Sequence, residues 1–204
     1  MGTRARRERE KQDMKSAILE AATKIIIEEG YDKLSMRKIA EAIEYTPTTL
    51  YNYYKDKAEI IVGISKEMYL KIVSAIKNTL QDNKNLPVNY QLKLSFVAFI
   101  DTMTSNAEMG KAVMSSGTDK LFGSNDESES DSDSGILMLH ALLQEGQRQS
   151  VFRKLDENVA WMLITALLGF SMNAIENRLY LNGNWSNLVE IYVEILINGI
   201  QPIK

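Results

Sequence analysis

The segment SMRKIAEAIEYTPTTLYNYYKDK, residues 35–57, constrains the fold of this chain more than any other stretch. Its pattern predicts two short helices joined by a tight turn. The Ser35 hydroxyl can accept from the free backbone N–H groups of the first helix, and Thr46 can do the same for the second. Pro47 then occupies the first helical position, where its missing N–H costs nothing. Apolar residues at helical spacing give the first helix one buried face: Met36, Ile39, Ala40 and Ile43.

The second of these helices has an inward and an outward side. Leu50 and Tyr54 are four residues apart and face inward. The side chains left outward are polar or aromatic: Thr48, Thr49, Tyr51, Asn52 and Tyr53. A short helix with hydroxyls and an amide at its N-terminal end suits the major groove of duplex DNA. The segment is therefore predicted to be a helix-turn-helix, and the chain a DNA binder.

These residues resemble the DNA-binding signature of the TetR family of bacterial transcriptional regulators. That signature has a small polar cap, a Thr-Leu-Tyr core, an aromatic pair and Lys-x-Lys. The corresponding residues here are Thr46, Thr49-Leu50-Tyr51, Tyr53-Tyr54 and Lys55-Asp56-Lys57. Upstream, residues 18–22 and 29–31 resemble the family's first helix and its exit turn. The resemblance is close over about the first 60 residues and continues beyond them only in helix order and length.

Two residues depart from the family pattern. Glu44 stands where the family usually has glycine at the turn, and Thr48 stands where it usually has glycine inside the recognition helix. A glutamate at a position that favours φ > 0 predicts either backbone strain or a differently shaped turn. Thr48 adds a side chain close to the bases.

The candidate DNA contacts follow from position and from the resemblance. Pro47 and Thr48 lie at the N-terminal end of the helix and are predicted to face bases, where threonine offers a methyl group and a hydroxyl. Asn52 could pair with adenine or reach a phosphate. The resemblance implies phosphate contacts, which position the protein without reading sequence, at six residues: Arg37, Thr46, Thr49, Tyr51, Tyr53 and Lys57.

Composition limits the classes of protein that remain. The 204 residues are 45% hydrophobic, include no cysteine, and carry a net charge of −3. The basic N-terminal arm, Arg4 to Lys11, and the acidic Ser-rich loop at 123–135 make that charge uneven. Without the five acids of the loop the net charge would be +2, so the total does not exclude DNA binding. The polar N-terminus has no apolar signal core, and a cytoplasmic location is expected.

Long apolar segments of helical period and weak strand signals predict an all-α protein. Residues 1–55 are expected to form a three-helix DNA-binding domain with the basic arm, which frays ahead of a first helix beginning near Gln12. Residues 56–204 are expected to form a larger helical bundle for ligand binding and dimerisation, starting at a capping box of Asp56 and Glu59. The acidic loop lacks the ligand spacing of an EF-hand and is expected to be solvated.

The last two helices are predicted to form a homodimer contact. The eighth helix, capped by Asp156 and running to about Tyr180, is apolar almost all round from Ala160 to Ala174, a stretch too short to cross a bilayer. The ninth, from Ser186 to about Gly199, is apolar on more than one face. Pairing with the same helices of a second chain would hide both faces, and the resemblance implies the same contact. The alternative is that the eighth helix is simply a buried central helix.

The resemblance also implies a cavity for a small-molecule effector in the C-terminal bundle. The candidate lining residues are Tyr69, Phe96, Phe99, Met103, Met114, Phe122, Met138, His140, Trp161 and Thr165. Such residues at helical spacing are also what an ordinary core contains. His140, the only histidine, could orient a polar ligand group or make a structural hydrogen bond.

The expected function is a homodimeric, ligand-responsive regulator, most simply a repressor on a near-palindromic operator, with no cofactor, metal or membrane. One alternative is a TetR-like adaptor that acts through protein partners, suggested by Glu44 and the acidic loop. The other is a small helical enzyme. One histidine, no cysteine and no phosphate-loop, HExxH or GxSxG motif leave little for catalysis.

Overall fold

The structure is a computed structural model that describes residues 3–115 and 135–202, with side chains described for 5–112 and 135–202. Every regular element in those ranges is helical. The prediction of an all-α fold, with an N-terminal helix-turn-helix domain followed by a larger helical domain, is confirmed. The chain divides into two compact units, Met1–Tyr69 with Glu108–Ser124, and Leu70–Ala107 with Asn125–Lys204. The acidic loop predicted at 123–135 lies outside the described residues, except for Gly135.

The first unit begins with helix α1, Thr3–Glu29, and a 3-10 turn, Tyr31–Lys33. Helices α2, Met36–Ala42, and α3, Pro47–Leu50, follow, and then α4, Lys57–Asp82. Helix α6, Ala107–Ser115, lies almost wholly in this unit as well. The four helices α1 to α4, here called the helix-turn-helix module, share a core of fully buried side chains: Ile18, Ala22 and Ile26 from α1, Ile39 from α2, Leu50 from α3, and Ile60, Ile61 and Ile64 from α4.

The start of α1 corrects the prediction of a frayed N-terminal arm. The helix begins at Thr3 rather than near Gln12, so the basic arm forms its first turns. Arginine, glutamate and alanine are all good helix formers, and Arg6 pairs with Glu10 four residues on, at 2.8 Å. The helix ends at Glu29, and the next residue, Gly30, has a φ of 89°, a backbone conformation that glycine adopts more readily than other residues.

The second unit is built around α5, Val88–Ser105. Helices α7, Gly135–Arg148, α8, Val159–Glu176, and α9, Trp185–Asn198, all contact it. Apolar side chains of α5 fill the centre of this unit: Leu92, Phe96, Phe99, Ile100 and Met103. At the surface, the Lys93 ammonium lies 3.2 Å from the Glu190 carboxylate and 3.1 Å from that of Glu194, which joins α5 to α9.

The ends of α8 differ from the sequence prediction. The helix begins after Asn158, because Asp156 accepts from the Asn158 backbone and side chain in a local turn. It ends at Glu176, before Arg178 adopts a left-handed φ of 52°. The first compact unit extends through the first turns of α4, which bury their isoleucines, as far as Tyr69. The domain boundary expected at residue 55 stays a prediction.

Within the described residues, α8 has the length and apolar composition that a bilayer-crossing helix needs, with 39% of its 18 residues buried. A core helix of a soluble protein passes the same test.

Candidate nucleic-acid interface

Helix α2 is fixed by its cap and by its buried side. The Ser35 hydroxyl accepts from the Lys38 backbone N–H at 3.2 Å, as the sequence predicts. Ile39 and Ala40 are fully buried. The opposite side of α2, which carries Arg37 and Glu41, is exposed. This arrangement packs α2 against α1 and α3 and leaves its charged side in solvent.

The turn between α2 and α3 accommodates the unusual Glu44. This residue has a φ of 59°, so it adopts the left-handed conformation that glycine supplies at lower cost. The turn is still closed by backbone hydrogen bonds, from Glu44 to the Glu41 carbonyl at 3.2 Å and from Tyr45 to the Ala40 carbonyl at 2.9 Å. Of the two outcomes predicted, strain in a retained turn is the one observed.

At the N-terminal end of α3, two side chains take part in the helix cap and two others do not. The Thr46 hydroxyl oxygen accepts from the Thr49 backbone N–H at 3.3 Å and lies 3.0 Å from the Thr49 hydroxyl, so both hydroxyls belong to the cap. Pro47 and Thr48 are exposed, and Thr48 makes no side-chain hydrogen bond within the described part of the chain. Leu50 is fully buried and anchors the helix.

The aromatic residues after α3 divide by burial. Tyr51 is 56% exposed and Asn52 is also exposed, whereas Tyr53 is half-buried. Tyr54 is buried, as predicted for a core residue, and this burial, together with Glu59 and Glu67, raises the pKa of its hydroxyl to about 12. Tyr54 therefore stays neutral at physiological pH, and Tyr51 and Asn52 are the residues here that remain open to a partner.

Tyr45 is a candidate contact that sequence reasoning did not single out. It directly precedes the cap residue Thr46 and is 49% exposed. The available signal was its large aromatic side chain next to a helix N-cap, in a turn too short to bury it.

The cations predicted to contact phosphates already have partners within the chain. Lys57 donates to the Tyr31 carbonyl at 3.0 Å, and its ammonium lies 3.8 Å from the centre of the Tyr31 ring. Arg37 donates to the Glu41 carboxylate at 2.8 Å, and this hydrogen bond raises the pKa of the guanidinium. To bind a phosphate as predicted, Arg37 would have to exchange its Glu41 partner for it, whereas Lys57 has a further ammonium proton that its bond to the Tyr31 carbonyl does not use.

The capping box predicted at the start of α4, with Asp56 and Glu59, forms in only one of its two hydrogen bonds. Asp56 accepts from the Glu59 backbone N–H at 2.9 Å, which confirms the cap. The Glu59 carboxylate accepts from the Lys55 backbone N–H rather than from that of Asp56. The start of α4 is thereby tied to the segment that follows α3.

The predicted effector residues do not share one environment. Phe96, Phe99 and Met103 are buried on α5, and Tyr69, Met138 and His140 are half-buried. Trp161, 47% exposed, and Thr165 lie instead on the exposed side of α8, so their position does not support a cavity-lining role. The Met114 side chain and Phe122 lie outside the described residues. Across the described ranges no cluster of histidine, aspartate or glutamate has the arrangement of a metal site.

An open groove of about 610 Å³ lies between α1 and α2, in the first unit. Its lining is mostly charged, with Glu20, Lys24, Glu28, Lys38 and Glu41 beside alanines and isoleucines. None of the predicted effector residues lines it.

Helices α8 and α9 expose large apolar side chains. Met162 is 67% and Ile195 62% exposed. Trp161 on α8 and two further α9 residues, Leu188 and Ile191, are also exposed. Two contacts join α8 to α9. The ring centres of Phe170 and Tyr192 are 4.0 Å apart in a stacked arrangement, and the Tyr192 hydroxyl donates to the Ala166 carbonyl at 2.6 Å.

Part of the first unit matches a known protein family. A family model described as bacterial regulatory proteins, tetR family, matches residues 18–64, which contain α2, α3 and the parts of α1 and α4 that pack on them. The fatty acid metabolism regulator protein of Bacillus subtilis (strain 168) is 26% identical over 78 residues, which are 38% of this chain. The match spans 40% of the length of that relative.

Solved structures resemble the chain over nearly its whole length. The fatty acid degradation regulator FadR from Bacillus halodurans has a TM-score of 0.67 at 20% identity, covering 90% of this chain and 94% of that one. A bacterial regulatory protein of the tetR family from Rhodococcus RHA1 has a TM-score of 0.64 at 18% identity, covering 93% and 98%. At such identities the likeness shows a shared fold.

Proposed function

We propose that this chain is a DNA-binding regulator of the TetR family and a ligand-responsive repressor, since the tetR family model matches residues 18–64 and the fold resembles that of a tetR family protein. The observation that carries the proposal is the exposed N-terminal end of α3, where Pro47 and Thr48 project beyond a cap closed by Thr46. In this proposal the protein acts in the cytoplasm on a near-palindromic operator, which it leaves when a small-molecule effector binds.

The proposed DNA contacts keep the roles that sequence suggests. Pro47 and Thr48 read base edges in the major groove, since their side chains are free of the cap. Tyr51 and Lys57 position the module on phosphates, together with Arg37, Thr46, Thr49 and Tyr53. Asn52 and the exposed Tyr45 extend the surface on either side of the α3 tip.

The proposed dimer forms through α8 and α9. Their exposed apolar side chains, from Trp161 and Met162 on α8 to Ile191 and Ile195 on α9, would be buried against the same residues of a second copy. An isologous contact of this kind gives a two-fold axis. The two recognition helices would then enter successive major grooves about 34 Å apart, or a multiple of that distance.

The proposed effector acts by shifting the population of dimers between two spacings of the recognition helices. The size of that shift is limited by the difference in the effector's affinity for the two states. The effector cavity is proposed among the described candidates of the second unit, Phe96, Phe99, Met103, Met138 and His140.

The names of two similar proteins suggest the chemistry of the effector. One is a regulator of fatty acid metabolism and the other of fatty acid degradation. We propose an effector with a long apolar chain, which buried Phe96, Phe99 and Met103 would suit. The Ser171 hydroxyl is a candidate for its polar end, because it is fully buried and has no hydrogen-bond partner among the described residues.

Selection of bound fragments from random duplex DNA tests the proposal. The recovered sites should contain two inverted half-sites, and a long-chain fatty acid or its thioester should release the protein. Recovery of no preferred duplex at low salt would contradict DNA recognition. Release by neither compound would contradict the effector class alone. Ser171→Ala should weaken the effector response without weakening operator binding, and Ser95→Ala, whose hydroxyl is already bonded to the Gln91 carbonyl at 2.8 Å, is the matched control.

A further inference from the structure

The start of α4 carries a lysine where helix electrostatics alone would not favour one. Lys57 is the first residue of α4, and the N-terminal end of a helix has a partial positive charge that disfavours cations. Asp56 already caps this end by accepting from the Glu59 backbone N–H at 2.9 Å, and Glu59 is the acidic residue of the first turn. The positive charge of Lys57 is therefore not needed to stabilise the start of α4.

Two contacts with a single residue, Tyr31, hold the Lys57 ammonium. It donates to the Tyr31 carbonyl at 3.0 Å and lies 3.8 Å from the centre of the Tyr31 ring. An ammonium within about 6 Å of the centre of an aromatic face is attracted to that face. Both residues are half-buried. The carbonyl and the ring together restrict where the end of this long side chain can lie.

The segment that holds Lys57 is itself fixed by the fold. Tyr31 begins the 3-10 turn that follows α1, 26 residues before Lys57. The same Tyr31 carbonyl accepts from the Leu34 backbone N–H at 3.1 Å, and the Leu34 side chain is buried. A lysine held by such a turn has already lost part of the rotamer freedom that an exposed lysine loses when it binds a partner.

The partners of Lys57 leave its charge available. A carbonyl and an aromatic ring are neutral, and within the described ranges Lys57 makes no ion pair, whereas Arg37 is bonded to the Glu41 carboxylate. The Tyr31 carbonyl engages only one N–H of the ammonium, so the remaining N–H groups can donate to another acceptor. Lys57 is thus oriented without being neutralised.

We propose that Tyr31 is a positioning residue for DNA binding: its ring and carbonyl hold the Lys57 ammonium ready for a phosphate. This inference rests on the proposed function, in which Lys57 contacts the DNA backbone, and it adds a residue that acts through Lys57 without touching the duplex. A side chain that is ordered before binding loses less conformational freedom on binding, and this strengthens the complex.

The first test measures the geometry in the free, full-length protein. The Tyr31 ring should shift the NMR signals of the Lys57 ε-methylene protons upfield, observed with 13C-labelled lysine and assigned by their loss in Lys57→Met. The upfield shift should persist in Tyr31→Phe, which keeps the ring, and disappear in Tyr31→Leu. Unshifted signals in the unsubstituted protein would overturn the proposal whether or not that protein binds DNA.

The second test titrates each variant with a duplex that the unsubstituted protein selects, over a range of salt concentrations. Tyr31→Leu should weaken binding about 2- to 10-fold, which corresponds to ordering one flexible side chain. Tyr31→Phe, the matched control, should bind as the unsubstituted protein does. Lys57→Met should lower the slope of log affinity against log salt by about 0.9, whereas Tyr31→Leu keeps the charge and should keep the slope.

A double variant separates positioning from packing. Adding Tyr31→Leu to Lys57→Met should cause no further loss of affinity, because the residue that Tyr31 positions is already absent. An equal loss with and without Lys57 would overturn the proposal, and so would equal losses in Tyr31→Phe and Tyr31→Leu. Thermal midpoints show whether each variant folds, and Tyr31→Met replaces Tyr31→Leu if the leucine variant does not. Failure of the unsubstituted protein to bind any duplex would instead contradict the proposed function.

Discussion

The tip of α3 and the outer sides of α8 and α9 are both exposed, but they expose opposite chemistry. At the α3 tip the exposed side chains are those of Pro47 and Thr48, with the hydroxyl-bearing rings of Tyr45 and Tyr51 on either side of them in the sequence. On α8 and α9 they are large and apolar, led by Met162 and Ile195. Exposed polar groups on a rigid helix remain available for hydrogen bonds, whereas exposed apolar groups gain free energy only when another surface covers them.

This difference assigns different partners to the two regions. The α3 tip suits a polar, anionic ligand with hydrogen-bonding edges, as duplex DNA is. The α8 and α9 surface suits a second apolar surface, and a copy of itself is the simplest one. The two regions should therefore respond differently: binding at the α3 tip to salt, and association through α8 and α9 to protein concentration.

The largest effect is expected from Ile195→Glu. Burying a carboxylate in the proposed dimer contact, with loss of the isoleucine, should raise the dimer dissociation constant by at least about 100-fold. Sedimentation velocity over a concentration series measures this. Ser186→Glu, exposed at the start of α9 and nine residues or about two and a half turns before Ile195, lies on the opposite side of the helix. It is the control and should stay dimeric. Unchanged association by both variants would remove α9 from the interface.

Thr48→Ala should change which base is preferred at one position of each half-site. A lost direct contact is worth about 1–3 kcal/mol of discrimination, or about 5- to 150-fold. Competition between duplexes that differ at single positions measures it, with Thr49→Ser, which keeps the cap hydroxyl, as the control. Uniform weakening on every duplex would move Thr48 to the group of backbone contacts.

Arg37→Ala should weaken binding to all sequences and lower the salt slope by about 0.9, which is about five-fold in affinity at about 0.15 M salt. Glu41→Gln should do the reverse on a smaller scale, about two-fold, because Arg37 no longer has to leave a carboxylate 2.8 Å away. Salt titrations of both variants measure the pair. A Glu41→Gln protein that bound more weakly would show that Glu41 orients Arg37 instead of competing for it.

Glu44→Gly should have the smallest effect. Relief of the left-handed backbone gains about 1–2 kcal/mol, and the added freedom of glycine when unfolded costs about 0.5–1 kcal/mol. The free energy of unfolding should rise by up to about 1.5 kcal/mol, measured by urea denaturation. Glu44→Gln removes the charge but keeps the strain, so it should leave the stability unchanged.

Local signals in the sequence predicted most of the helix-turn-helix module, α1 to α4. The caps at Ser35 and Thr46 and the buried Leu50 and Tyr54 follow from short-range chemistry, and the structure contains each of them. The partners of Lys57 could not be predicted this way. Tyr31 is 26 residues distant, and only the fold brings its carbonyl to the ammonium.

The outer parts of the molecule were predicted less well, for two physical reasons. Helix propensity in the basic arm competed with its like-charge repulsion, and the helix extends to Thr3 because propensity and the Arg6–Glu10 pair prevail. In α8, periodicity identified an apolar helix but not which side faced α5. In the structure Leu167 is buried and Trp161 is exposed to solvent. Trp161, expected to line the effector cavity, therefore belongs to the proposed dimer surface.

Hydroxyl-radical footprinting of the protein on its selected duplex tests the central claim most directly. Two protected patches on the same side of the duplex, separated by a whole number of helical turns of about 34 Å, are expected from two α3 tips held by one dimer. A single patch, or no protection at low salt by a protein that is a monomer in solution, would contradict the account.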